Sequence, residues 1–216
     1  MSAPRLPRAA RSLRVAVLDY GAANMVSISQ ALAACGAEPV LAAEPGDLRD
    51  VQAMVVPGVG AALPAMQGLS ERGLVEPLIA WVAAGRPCLG ICLGFQVMFE
   101  ASEEGDATAL GLLAGRVQRL EGAPTLPHIG WNSVELAAEH PLFDGLPSGS
   151  HFYFVHSYAP VPADGGVVLA RTTHGRPFVS AAASGSLYGL QFHPERSGLM
   201  GLRLLSNFMR LVEEAA

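Results

Sequence analysis

The 216-residue chain predicts an α/β fold, an open and mostly parallel sheet flanked by helices with antiparallel strands added. Three observations carry this prediction. The first half alternates short apolar runs with helical patterns, the second half strings short β-like stretches together, and a long amphipathic segment closes the chain.

The elements follow in order. "RVAVLDYG" (14–21) is a buried strand running into a turn. "NMVSISQALAACG" (24–36) places Met25, Ile28, Leu32 and Cys35 at helical spacing, with Asn24 as the expected N-cap and Gly36 as the stop. A short strand near "EPVLA", a strand at "AMVVPG" (53–58) and a helix ending in "PLIAWVAAG" (77–85) continue the alternation. "RPCLGI" (86–91) is the next strand and "LGFQVMFEAS" the next helix. Strands separated by helices imply βαβ units and a parallel sheet covered on both faces. Then "GRVQRL", "WNSVEL", "HFYFVHSYAPV", "GVVLARTT", "PFVSAAA" and "LYGLQFHPE" read as strands. "SGLMGLRLLSNFMRLVEEAA" is the closing helix, with Ser197 at its N-cap.

Composition narrows the function. Half the residues are hydrophobic and 15% are charged, which suits a well-buried globule. A net charge of −5 without a basic block in the body argues against nucleic acid as the main partner. All 14 basic residues are arginine, so every side-chain cation other than histidine is a guanidinium. Cys35, Cys88 and Cys92 are odd in number and irregularly spaced, which fits a reducing cytoplasm better than a disulfide framework. Cys88-x3-Cys92 has no second ligand pair after it, so no metal is expected. The basic segment 1–13 lacks the apolar centre of a signal peptide and is expected to be a tail preceding one domain over 14–216. No 18-residue apolar run is present, so no membrane partner is expected.

Three turns at strand ends carry the candidate chemistry, because ligands in open parallel sheets bind beyond the carboxyl ends of the strands. Gly90-Ile91-Cys92-Leu93-Gly94 has the form of a nucleophile elbow with cysteine in place of serine. A thiol there lies at the start of the following helix, where a thiolate is favoured. A buried core cysteine is the alternative, and the two framing glycines weigh against it. "LYGLQFHPE" offers the base: residues two apart share one side of a strand, so Glu195 can orient His193. His128, His140, His151 and His174 read as structural. "PGVG" (57–60) offers an anion site in which the N–H groups of Val59 and Leu93 would receive an oxyanion. Val59 lies between Gly58 and Gly60, whose conformational freedom would let the Gly58–Val59 peptide rotate.

Taken in order and separation, "PGVG", "GICLGFQ" and "QFHPE" resemble a class I (triad) glutamine amidotransferase domain. The resemblance implies a flavodoxin-like sheet, a Cys92–His193–Glu195 triad and a glutamyl thioester on Cys92. It also implies substrate contacts from Gly58, Gly60, Gln96, Glu104, Ser157 and Tyr158, and no cofactor. "LDYGAANMVSI", "PHIGWNSV" and "YFVHSY" are similar to one branch of that family, the glutaminase subunits of imidazole glycerol phosphate synthase. That likeness implies a heterodimer with a (β/α)8-barrel cyclase subunit in histidine biosynthesis, met through Trp131, Tyr153 and Arg196. Phe95, Ala23 and Arg196 stand where methionine, glycine and lysine are usual. A glutaminase for another acceptor (anthranilate, aminodeoxychorismate or pyridoxal phosphate synthesis) and a non-catalytic module on the same scaffold remain the alternatives.

Overall fold

The computed structural model describes residues 12–21 and 25–215. Asn24, Ala23 and residues 1–11 of the expected tail lie outside the described residues.

Five strands form the parallel half of a nine-stranded sheet: β1 (Arg14–Leu18), β2 (Glu38–Ala42), β3 (Ala53–Gly58), β4 (Cys88–Cys92) and β13 (Leu187–Leu190). Their order in space is β2-β1-β3-β4-β13. The antiparallel half continues with β12 (Arg176–Ser184), β11 (Val168–His174), β8 (His128–Leu136) and β9 (Ser150–His156). The additions are thus nearly as large as the parallel part. A smaller sheet runs β10-β7-β5-β6, from β5 (Ala101–Ser102), β6 (Ala107–Thr108), β7 (Gly115–Arg119) and β10 (Tyr158–Pro162).

Both faces of the parallel half are buried inside the edge strand β2, and β1 shows why. Val15 and Val17 belong to one apolar core, Ala16 and Leu18 to the other, because successive side chains leave a strand on opposite sides. Helices α1 (Met25–Ala34) and α5 (Gly198–Ala215) close the first core with Ile28, Leu32, Leu204, Leu205 and Phe208. Helices α2 (Ala62–Glu71) and α3 (Val75–Ala83) close the second with Leu69, Leu78 and Trp81. Helix α1 stops at Gly36, whose φ of 85° is open to glycine at little cost.

Three local expectations change in the structure. A separate α2 precedes α3, and Gly73 at φ 64° breaks the chain between them. The helix after β4 is α4 (Leu93–Gln96), only four residues long. It ends because residues 110–113 come back against it: Leu110, Gly111, Leu112 and Leu113 donate to the carbonyls of Val97, Phe99 and Met98, which a longer helix would have used internally. Ser197 does not cap α5 with its side chain; its hydroxyl accepts from the Tyr153 N–H at 3.0 Å and donates to the His193 carbonyl at 2.6 Å.

Candidate active site

Strands β3, β4 and β13 are neighbours in the sheet, so their carboxyl ends bring together Gly58, Cys92 and the segment leading to His193. Cys92 ends β4 at φ 54°, ψ −110°, a backbone region that L-residues occupy only under strain. The framing glycines make room for this turn. A Cβ on Gly94 would overlap the Val56 carbonyl, and one on Gly90 would come within 2.6 Å of Met98 Cε and 2.8 Å of the Gly94 carbonyl oxygen. Phe95, the departure from methionine, is fully buried edge-on to Phe99. It is accommodated by Gly189, where any side chain would overlap the Phe95 ring.

The sulfur of Cys92 faces the Val155 carbonyl at 3.8 Å and receives the Gln191 amide at 3.6 Å. Gln191 also accepts from Gln96 at 3.1 Å, and Gln96 donates to the Tyr158 carbonyl at 2.8 Å. Gln191 is fully buried and ties the elbow to Gln96. Sequence reasoning passed over it, although it stands two residues before His193 in "QFHPE".

His193 and Glu195 meet as expected, but not as strand neighbours. β13 ends at Leu190, and Pro194–Arg196 forms a single 3-10 turn that swings the carboxylate back. Glu195 Oε1 accepts from His193 Nδ1 at 2.7 Å, with side chains 8% and 4% exposed. Burial by itself lowers the His193 pKa, but the Cys92 sulfur and the Glu195 carboxylate outweigh it and push the value up to about 10. His193 Nε2 and Glu195 Oε2 are buried without a hydrogen-bond partner among the described residues.

Above Cys92 lies a cavity of about 250 Å³, lined by Val59, Gly60, Leu93, Gln96, Glu104, Ser157 and Tyr158 among others. Most of the residues singled out in the sequence therefore surround one small-molecule-sized space beside the thiol. Glu104 points one oxygen at the Ala62 N–H, 3.1 Å away. Burial raises its pKa and that N–H partly offsets the rise.

Among the six expected substrate contacts, Gly58 is the exception. It does not line the cavity, and Gly60, not Gly58, has the positive φ, at 104°. Gly58 is required for packing, since a Cβ there would overlap the Tyr20 hydroxyl and lie 2.8 Å from Leu93 Cβ.

Beside the cavity, the side chain of Arg196 stacks over the Tyr153 ring at 4.1 Å, and Tyr153 meets Trp131 edge-on at 6.3 Å. The last two are cross-strand partners in β8 and β9. Trp131 is 56% exposed and the adjacent Ile129 61%, so the three expected partner-facing residues form one open aromatic surface with an apolar neighbour that the sequence reading did not single out.

Of the other histidines, His140 accepts from the Leu142 N–H and His151 is exposed. His128 stacks on His174 at 4.1 Å and shares a hydrogen bond of 3.1 Å with His156. His156, which the sequence reading did not single out, lines the cavity. Burial pushes the His128 and His156 pKa values down to about 4 and about 3.

The sequence matches the class-I glutamine amidotransferase family over residues 16–212. It is 46% identical to the imidazole glycerol phosphate synthase subunit HisH of Thermosynechococcus vestitus, over 93% of this chain and 98% of the relative. Identity to the HisH subunit of Dehalococcoides mccartyi is 43%, over 91% and 97%. Among solved structures, PurLQS from Thermotoga maritima superposes with a TM-score of 0.73 at 18% identity, over 94% of this chain and 99% of that one, a likeness of fold alone. The chain belongs to the class-I glutamine amidotransferases and, within them, to the family of HisH subunits.

Proposed function

We propose that this chain is the glutaminase subunit of an imidazole glycerol phosphate synthase. It hydrolyses glutamine to glutamate and ammonia, and ammonia passes to a (β/α)8-barrel cyclase subunit in histidine biosynthesis. The observation that carries the reading is the strained Cys92 elbow, opening into a cavity of about 250 Å³ with the buried His193–Glu195 pair beside it.

In this reading the Cys92 proton resides on His193, whose charged form Glu195 stabilises, and the thiolate attacks the side-chain amide carbon of glutamine. The N–H groups of Val59 and Leu93 receive the developing oxyanion, each such donor being worth about 10²–10³ in rate. His193 returns the proton to the departing nitrogen, ammonia leaves, and a glutamyl thioester remains on Cys92. Water then adds to the thioester, its proton passing to His193, and glutamate is released as the thiol re-forms. Gln96, Glu104, Gly60, Ser157 and Tyr158 hold the substrate, with Glu104 facing its ammonium group. Gly58 acts through packing beneath the site.

The heterodimer forms through Trp131, Tyr153 and Arg196, with Ile129 beside them. Residues 14–216 constitute one amidotransferase domain, and the enzyme is cytoplasmic. A non-catalytic module has no need for a strained nucleophile together with a buried imidazole–carboxylate pair, and relatives bearing the HisH name favour this acceptor over others.

The test is glutamine hydrolysis by the complex with its cyclase, for the parent and for Cys92→Ala. The variant should bind the cyclase and fold normally while losing turnover. Measurable turnover in Cys92→Ala, or failure to capture a cyclase subunit, would contradict the proposal.

A further inference from the structure

The backbone that carries Val59 is clamped at both ends by side chains from distant parts of the chain. Pairing of β3 with β4 stops at Gly58, and residues 59–61 belong to no strand. On the near side, Tyr20 donates its hydroxyl to the Pro57 carbonyl at 2.6 Å. On the far side, the Ala62 N–H donates to Glu104 at 3.1 Å. The near clamp is the more tightly enclosed, because Tyr20 is only 3% exposed.

Its hydroxyl sits between the strand end and the elbow. A Cβ built on Gly58 would overlap that hydroxyl and would also lie 2.8 Å from Leu93 Cβ and 2.9 Å from the Gly94 nitrogen. Tyr20 itself has little freedom to move, since a Cβ on Gly68 of α2 would overlap the Tyr20 carbonyl. Burial and the nearby Cys92 charge both raise the Tyr20 pKa far above the usual phenol value, so the hydroxyl remains a donor.

We infer that Tyr20 is a positioning residue for the oxyanion site: by holding the Pro57 carbonyl it sets the aim of the Val59 N–H. The inference rests on the reading of Cys92 as nucleophile and Val59 as oxyanion donor. The Pro57–Gly58 peptide is planar, so fixing its carbonyl fixes the whole unit. Only the φ and ψ of Gly58 then separate that plane from the peptide bearing the Val59 N–H. Glycine by itself restrains those torsions weakly, so the two clamps add restraint beyond the strand pairing that ends at Gly58. A misplacement of about 1 Å at a reacting group costs on the order of 10²-fold in rate.

Tyr20→Phe removes the hydroxyl and keeps the ring. In the complex with the cyclase, kcat for glutamine should fall about 10- to 100-fold while KM changes by less than about 2-fold, the pattern of an interaction made in the transition state. Alkylation of Cys92 by iodoacetamide should proceed at the parental rate, because displacement of iodide by the thiolate builds no oxyanion in this site. A kcat within about 2-fold of the parent would overturn the inference. So would alkylation slowed in step with kcat, which would place the effect on the thiol or on the fold. The underlying reading is judged separately by Cys92→Ala: turnover that survives that change overturns both.

Discussion

Replacing Glu195 by glutamine changes one group in the site and leaves its shape. The bond it alters is 2.7 Å long, between side chains 4% and 8% exposed, so solvent screens it little. A hydrogen bond to a charged partner contributes about 1.5–3 kcal/mol. At ~1.4 kcal/mol per decade, kcat/KM should fall about 10- to 150-fold if Glu195 acts by stabilising the His193 imidazolium. The new amide group replaces an oxygen that has no partner among the described residues, and its N–H donors are buried with it, so a modest loss of melting temperature accompanies the kinetic effect.

The same substitution should pull the His193 pKa down from about 10. Because the folded value is raised, this group contributes stability that is fully present below its unfolded value near 6.5 and lost as pH rises through about 10. The variant should lose part of that contribution, and its alkaline loss should shift to lower pH. Steady-state glutaminase kinetics of the cyclase complex and NMR titration of His193 measure both effects. Parental kcat/KM together with an unmoved imidazole pKa would refute the reasoning. A loss as complete as that in Cys92→Ala would instead make Glu195 a participant in the chemistry.

Cys92→Gly should abolish glutamine hydrolysis yet raise stability by about 1 kcal/mol in denaturant titration, because glycine relieves the backbone at φ 54°; a destabilised variant would show that the turn is not strained. Arg196→Glu should weaken cyclase binding in calorimetry without moving the melting temperature, since it removes a guanidinium stacked on Tyr153 at the surface. Unchanged affinity would remove Arg196 from the interface. Burial holds the His128 and His156 pKa values down at about 4 and about 3, so the unfolded chain binds more protons just below the usual imidazole value of 6.5. Stability should therefore fall on acidification through this window, by up to ~2.7 kcal/mol per pH unit for two protons, and His156→Gln should lessen the slope. A variant slope equal to the parental one would contradict this.

Much of the fold was legible because burial leaves periodic traces. β3 occupies "AMVVPG" as read, and a strand with both faces covered has to be apolar throughout. α1 and α5 show the spacing that puts one stripe against a core. The Cys92 elbow was also legible, because a turn at φ 54° between crowded neighbours tolerates only glycine at positions 90 and 94. Local sterics write such requirements into neighbouring residues.

What the sequence left open depended on groups far apart in the chain. α4 ends after four residues because residues 110–113 return to take the carbonyls of Val97, Met98 and Phe99 just beyond it, a competition that no window around "LGFQVMFEAS" contains. His193 and Glu195 meet through a 3-10 turn beyond a strand that stops at Leu190, where alternation along the strand no longer applies. Gln191 touches the Cys92 sulfur and Tyr20 holds Pro57 only because β1, β3, β4 and β13 lie side by side. Strand order is set by which apolar faces pair across the whole sheet. Residue types and local spacing therefore determined that a cysteine nucleophile could exist here, and the sheet order determined which buried donors surround it.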